Sequence, residues 1–174
     1  MDNLELLEEA KKARLKAYTP YSNFKVGAAL LTKSGKVYLG CNIENATYTP
    51  TNCAERTAFF KAVSEGEREF EKIAIVGAKD GEDANVMCSP CGVCRQVMME
   101  FCDPKEFQII LANGENTCRV MTLEELLPNM VFALEPKFVI PGVGAVGIEN
   151  SFLVTETGVE KLTRFNEEII PLGN

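Results

Sequence analysis

The sequence contains no histidine and no tryptophan. Histidine is the commonest metal ligand and the commonest general base near neutral pH. Its absence leaves metal binding and proton transfer to Cys, Asp and Glu. No apolar run approaches the roughly 18 residues of a membrane span. The start, Met1-Asp2-Asn3-Leu4-Glu5, has neither the basic nor the apolar region of a secretory signal. Positive charge is also scarce: 18 Lys and Arg against 25 Asp and Glu leave a net charge of −7. That balance lacks the electrostatic footprint of a phosphate-backbone binder. These absences predict a cytoplasmic protein with neither a membrane nor a nucleic acid as its partner. The seven cysteines, an odd number, then read as thiols or metal ligands rather than disulfides.

A chain of 174 residues suits one domain, or one domain with an appendage, and can bury a core without covalent staples. Apolar periodicity predicts an amphipathic helix over 3–18, capped by Asp2 and ended by Thr19-Pro20-Tyr21-Ser22. Strands at 26–32 and 36–41 flank Ser34-Gly35 as a hairpin. A loop rich in Asn, Thr and Pro fills 42–52, and a helix follows from 53 to 64, stopped by Gly66. A short apolar run at 72–78 reads as a buried strand, 81–89 as loop, and 91–101 as a helix behind Pro90. Strands at 107–111 and 119–121 flank Asn113-Gly114, and Thr122 opens a short helix. This αββαβαββα order predicts an α/β fold: a three-layer α/β/α arrangement around a mixed sheet. After Pro128 the pattern changes. Pro136, Pro141, Gly142, Gly144, Gly147 and Gly158 punctuate a strand-and-turn segment, so the chain divides into a domain at 1–128 and a β-rich C-terminal extension at 129–174.

Two segments carry the chemistry. The first is Thr51-Asn52-Cys53-Ala54-Glu55-Arg56, and the second is Ser89-Pro90-Cys91-Gly92-Val93-Cys94-Arg95-Gln96. Zn²⁺ favours thiolates in tetrahedral geometry, and a catalytic zinc keeps three protein ligands and one open position. Cys53, Cys91 and Cys94 suit that count. Both segments fall at expected helix N-termini, where unpaired N–H groups and the helix dipole favour a thiolate. Three thiolates and Zn²⁺ sum to one net negative charge, which weakens the metal as a Lewis acid. Arg56 is placed to offset it, and Glu55 to serve as general base toward bound water. Cys88 extends the second segment to Cys-x2-Cys-x2-Cys. With Cys53 it offers an alternative, a closed four-cysteine structural site with no catalysis. An iron–sulfur cluster would want a further Cys at position 98, which is Met.

Cys53-Ala54-Glu55 paired with Pro90-Cys91-x-x-Cys94 resembles the all-cysteine form of the zinc nucleoside and nucleobase deaminase signature. Pro20-Tyr21-Ser22-Asn23-Phe24-Lys25-Val26-Gly27-Ala28-Ala29-Leu30 and Gly40-Cys41-Asn42-Ile43-Glu44-Asn45-Ala46 narrow the resemblance to the small homotetrameric cytidine deaminases of pyrimidine salvage, over residues 1 to about 128. The resemblance implies one Zn²⁺ per subunit on Cys53, Cys91 and Cys94. Zinc-bound hydroxide would attack C4 of cytidine or deoxycytidine. Glu55 would carry protons to ring N3 and to the leaving ammonia. Asn42 and Glu44 would hydrogen-bond the ribose 3′-hydroxyl, Phe24 would pack on the base, and the Ala54 backbone with Glu55 would read the pyrimidine edge. Tyr48 would line the pocket, and Arg56 and Gln96 would hydrogen-bond the thiolates. A nucleoside substrate and a homotetramer follow from the same resemblance. Phe132 is the nearest candidate for a residue lent to a neighbouring subunit's pocket, one position later than the family pattern. Blasticidin deamination is a second enzymatic reading, disfavoured by the ribose-reading pair.

The segment from Met130 to Leu172 is similar to something else, the C-terminal end of the Xaa-Pro aminopeptidase and creatinase metallopeptidases. Glu135 and Glu149 match metal-binding positions there. The Asp and His ligands that complete such a site are missing, and two carboxylates alone make a poor transition-metal site. The expectation is a non-catalytic extension with a structural or assembly role. The alternative to an enzyme is a structural zinc or assembly module whose deaminase site is inactive.

Overall fold

The computed structural model describes residues 1–47, 49–127, 131–134, 137–140, 144–147, 150–155 and 158–161. The chain forms two compact units, Met1–Leu126 and Leu127–Asn174.

The first unit begins with α1 (Asn3–Arg14). Asp2 and Glu5 form a capping box: the Asp2 carboxylate accepts the Glu5 N–H at 2.8 Å and the Glu5 carboxylate accepts the Asp2 N–H at 2.8 Å. The helix stops four residues short of the expected end. Tertiary pairing competes with helix propensity there. The Arg14 guanidinium donates to the carbonyls of Lys25, Lys79 and Glu82, and Tyr18 pairs in parallel with Ile43.

The strands β1 (Phe24–Thr32), β2 (Val37–Cys41), β3 (Phe70–Lys79), β4 (Gln108–Ala112) and β5 (Cys118–Thr122) form one sheet in the order β2-β1-β3-β4-β5. The β3–β4 pair is parallel and the others are antiparallel, so the sheet is mixed, as the element order predicts. The parallel pair is joined through α3 (Gly92–Phe101). The remaining helices are α2 (Ala54–Ser64) and the short α4 (Leu123–Leu126).

Alternation along the strands builds two core layers. Ala29 and Leu31 of β1, Ala74, Val76 and Ala78 of β3 and Ile110 of β4 pack with Leu6, Leu7 and Ala10 of α1. On the other face, Phe59 of α2 lies with its ring centroid 4.9 Å from Phe70, 6.0 Å from Phe107 and 6.1 Å from Phe101 of α3. The result is α1, the sheet, then α2 and α3. Glycine sets the helix-to-sheet distance at two points. A Cβ on Gly27 would sit 2.1 Å from the Ala10 carbonyl oxygen, and one on Gly40 would sit 2.2 Å from the Ala54 carbonyl oxygen. No helix among the described residues is long and apolar enough to cross a membrane.

In the second unit, β6 (Val131–Leu134), β9 (Asn150–Thr155) and β10 (Gly158–Lys161) form an antiparallel sheet in the order β10-β9-β6. A separate antiparallel hairpin pairs β7 (Lys137–Ile140) with β8 (Gly144–Gly147). Glu135 and Glu149 lie outside the described residues.

Candidate active site

The two chemical segments meet at the start of two helices. Cys53 is the N-cap of α2 and Cys91 is the N-cap of α3. Both have extended backbone, and neither makes a side-chain cap hydrogen bond. Cys94 is buried in the first turn of α3. The sulfurs of Cys53 and Cys91 are 3.8 Å apart, and those of Cys91 and Cys94 are 3.5 Å apart. Among the described residues, these three alone bring three potential ligand atoms within 4.8 Å of one another. Zn–S bonds of about 2.3 Å at tetrahedral angles put sulfurs about 3.8 Å apart, so the triangle fits a zinc ion with one position left open.

The three thiols share their charge unequally: contacts with the other sulfurs push Cys94 and Cys53 up, and Cys91 carries the thiolate. Hydrogen bonds from the Cys53 and Cys94 thiols hold Cys91 far below the ordinary thiol range, assisted by the N–H groups of Cys94 and Val93. Arg56 Nη2 lies 3.6 Å from the Cys53 sulfur and 3.3 Å from the Thr51 carbonyl oxygen. Its Nε is buried with no acceptor among the described residues. A buried guanidinium with donor capacity to spare suits an anionic centre.

Glu55, in the first turn of α2, is 4% exposed. Burial pushes its carboxyl up to about 6, and the Cys91 charge adds to the rise. A hydrogen bond from its own backbone N–H and one from the Cys94 thiol oppose it. The carboxyl is therefore electrostatically coupled to the sulfurs, although it is not one of the three groups in the triangle. Ala54 precedes it at the first helical position and is fully buried. Gln96, one turn into α3, is exposed, and none of the hydrogen bonds among the described residues joins it to the sulfurs. Cys88 lies apart from the triangle. Its sulfur is 2.6 Å from where a Gly77 Cβ would sit, and a Phe24 ring carbon is 2.9 Å from the same point. Burial lifts the Cys88 thiol to about 11, helped by the charges of Glu55 and Cys53.

The ribose-reading candidates line the loops beside this centre. Glu44 Oε2 accepts the N–H groups of Tyr21 at 2.9 Å and Ser22 at 3.2 Å. The Ser22 hydroxyl and these two N–H groups hold the Glu44 carboxyl below the usual range. A cavity of about 280 Å³ is lined by Tyr21, Ser22, Glu44, Asn45, Ala46 and Thr51. Asn42 lies at the end of β2, with its amide turned to the backbone of β1. Phe24 opens β1 and is 38% exposed. Tyr48 lies outside the described residues, and Phe132 sits on β6 of the second unit. The residues that composition and spacing did not single out are Tyr21, Ser22 and Thr51. Tyr21 contributes its backbone N–H to Glu44, Ser22 its N–H and its hydroxyl, and the Thr51 hydroxyl accepts the Asn45 N–H at 2.9 Å.

A mixed α/β/α sheet thus brings three thiols at metal-binding spacing and a buried carboxyl together at two helix N-termini. The comparisons identify the family. Residues 1–110 match the cytidine and deoxycytidylate deaminase zinc-binding region. The chain is 52% identical over 128 residues to the cytidine deaminase of Sporosarcina psychrophila, covering 74% of this chain and 90% of that one. It is also 52% identical over 128 residues to the cytidine deaminase of Halalkalibacterium halodurans, covering 74% and 92%. The crystal structure of cytidine deaminase from Burkholderia pseudomallei superposes with a TM-score of 0.66 at 51% identity, over 74% of this chain and 98% of that one. The chain belongs to the cytidine deaminase family, and zinc is its cofactor. Residues 92–156 match a second family, metallopeptidase family M24.

Proposed function

We propose that this protein hydrolyses cytidine and deoxycytidine to uridine and deoxyuridine with release of ammonia, and that Cys53, Cys91 and Cys94 hold its zinc. The observation that carries this reading is the sulfur triangle at tetrahedral spacing with the buried Glu55 carboxyl against it. Zinc bound there supplies a Lewis acid that makes water nucleophilic at neutral pH. Glu55 moves the protons. A carboxyl at about 6 gains and loses a proton near neutrality at little cost. It takes a proton from the attacking water and passes it to ring N3 as the C4–O bond forms, then takes the proton of the new C4 hydroxyl and passes it to the amine as the C4–N bond breaks and ammonia leaves. Arg56 offsets the thiolate charge, with Gln96 assigned beside it.

Phe24 forms the wall for the base, with the Ala54 backbone at the pyrimidine edge. Glu44 and Asn42 are assigned to the sugar side, Tyr48 to lining the pocket, and Phe132 is the nearest candidate for a residue lent to a neighbouring subunit's pocket. The anchored Glu44 carboxylate beside the cavity favours a nucleoside with a free sugar hydroxyl, and the net charge of −7 favours a free nucleoside over a nucleic acid. We assign the enzyme to the cytoplasm and to a homotetramer. The 129–174 segment resembles the end of a metallopeptidase without its ligand set, so we assign it a structural or assembly role and no peptidase activity.

The test is purified, zinc-loaded protein assayed for uridine and ammonia from cytidine. Glu55→Ala should retain zinc and lose at least about 10³-fold in kcat, the scale of a lost proton shuttle. Absence of turnover of both cytidine and deoxycytidine by zinc-loaded wild type would overturn the reading.

A further inference from the structure

Strand β1 begins at Phe24, directly behind a turn. Asn23 adopts a left-handed φ of 55°, and the Phe24 N–H donates to the Ser22 hydroxyl at 3.0 Å. A serine oxygen that accepts the N–H two residues on closes a turn in place of a backbone carbonyl. The turn is pinned from two sides. The Asn23 N–H donates to the Thr19 carbonyl at 3.1 Å, and the Asp80 N–H, just past β3, donates to the Asn23 carbonyl at 2.9 Å.

The same serine meets Glu44. The Ser22 N–H donates to Glu44 Oε2 at 3.2 Å, beside the Tyr21 N–H at 2.9 Å on the same oxygen. Ser22 and Glu44 both line the cavity of about 280 Å³. A hydroxyl that accepts one hydrogen bond still has its own proton to give. The Glu44 carboxylate takes it, and this bond comes first among the causes that hold the carboxyl low. Glu44, the Ser22 hydroxyl and the Phe24 N–H therefore stand in one chain of acceptors and donors, running from the sugar side of the site to the base wall.

We infer that Ser22 is a positioning residue: it ties the Glu44 carboxylate to the first residue of β1, so that the sugar anchor and the Phe24 wall are set as one unit. This rests on the deaminase reading, which gives Glu44 the sugar and Phe24 the base. It also explains the residue type. A hydroxyl accepts from Phe24 and donates to Glu44 at once, whereas a methyl group does neither.

The experiment compares wild type, Ser22→Ala and Ser22→Thr at equal bound zinc on deoxycytidine. Glu44→Ala, Phe24→Ala and their double variant are measured alongside, in the wild-type and Ser22→Ala backgrounds. Ser22 is exposed, so its variants should fold. Ser22→Ala should raise KM about 5- to 20-fold with kcat within about threefold, because the lost bonds place the bound nucleoside and do not touch the reacting atoms. Ser22→Thr restores the hydroxyl and should recover most of the loss. In the wild-type background, the kcat/KM losses of Glu44→Ala and Phe24→Ala should combine to about fivefold less than their product. In the Ser22→Ala background they should reach their product within about twofold. Amide exchange at Phe24 is a readout independent of turnover. It should speed at least about threefold in Ser22→Ala, and also in Glu44→Ala, where the hydroxyl loses the acceptor that orients it. A hydroxyl that only closed its own turn would leave Phe24 exchange unchanged in Glu44→Ala. That result, losses that already reach their product with Ser22 in place, or a Ser22→Thr variant as impaired as Ser22→Ala would overturn the inference. Inactive wild type would sink the deaminase reading and leave the amide exchange to decide this one.

Discussion

Gly40→Ala should separate stability from catalysis when set against Gly27→Ala. Both glycines lie where a helix backbone presses on the sheet. A Cβ at position 40 would sit 2.2 Å from the Ala54 carbonyl oxygen and 2.5 Å from the Ala58 nitrogen. One at position 27 would sit 2.1 Å from the Ala10 carbonyl oxygen and 2.4 Å from the Arg14 nitrogen. These are backbone atoms, so no rotamer relieves the clash, and each helix must retreat by roughly 1 Å to restore ordinary contact. Overpacking of this kind costs about 1–3 kcal/mol, or more where the partner is rigid. For a domain of this size that is roughly a 5–15 °C fall in Tm. The two variants should therefore lose similar stability. Their sites should respond differently. The retreating helix in Gly40→Ala is α2, which begins at Cys53 and carries Glu55 in its first turn. A 1 Å misplacement at a reacting centre costs about 10²-fold. In Gly27→Ala the retreating helix is α1, which supplies no group to the cluster. Differential scanning calorimetry, zinc stoichiometry and kcat on cytidine report the three quantities. Gly40→Ala should lose zinc occupancy and about 10²-fold in kcat, while Gly27→Ala keeps one zinc per chain and loses less than about threefold. Equal kinetic losses in the two variants, or an active Gly40→Ala of lowered Tm, would refute the reasoning.

Two further outcomes follow from the cysteines. Cys88→Ala should keep one zinc per chain by metal analysis, because its sulfur packs on Gly77 outside the triangle. Cys53→Ser and Cys91→Ser should each lose the metal, and zinc loss in Cys88→Ala would restore the four-cysteine alternative. Burial pushes the Cys102 thiol up to about 12, so in the folded protein the proton stays on until well above neutrality. Iodoacetamide at pH 8 should then label Cys102 on the order of 10³-fold more slowly in the native chain than in denaturant, since only the thiolate reacts. Comparable labelling by mass spectrometry in both states would contradict that burial.

The element order and the Cys91/Cys94 pair were legible because both rest on local signals, whereas joining Cys53 to that pair across 38 residues rested on the family resemblance. Hydrophobic period, Gly punctuation and Cys spacing need no knowledge of distant contacts. What was not legible depended on pairing at a distance. The periodicity of α1 runs on to residue 18, yet the helix ends at Arg14 because Tyr18 is needed opposite Asn42 and Ile43. The same competition hid the start of β1. Residues 24 and 25 gain strand geometry by pairing with Lys79 and Ala78 of β3 and from the Asn42 amide, and neither partner is near in sequence. Asn42 itself was readable as polar and close to the site. Its direction toward Phe24 and Val26 was not, because it follows from where the backbone after Cys41 turns.

The absence of histidine shapes the whole site. On the proposed ligand set, a third thiolate in place of an imidazole would add one negative charge, and Arg56 lies 3.6 Å from the Cys53 sulfur to offset it. Both N-cap positions are cysteines without a side-chain cap hydrogen bond, and the N–H groups of Cys94 and Val93 at the start of α3 favour the Cys91 thiolate. Arg56 reaches one sulfur and keeps a buried donor unspent. The remaining negative charge is managed at Glu55, whose burial against the cluster raises its carboxyl to about 6. Burial is the first cause of the rise at Glu55 and the charge on Cys91 adds to it, so the carboxyl and the three thiols form one electrostatically coupled group.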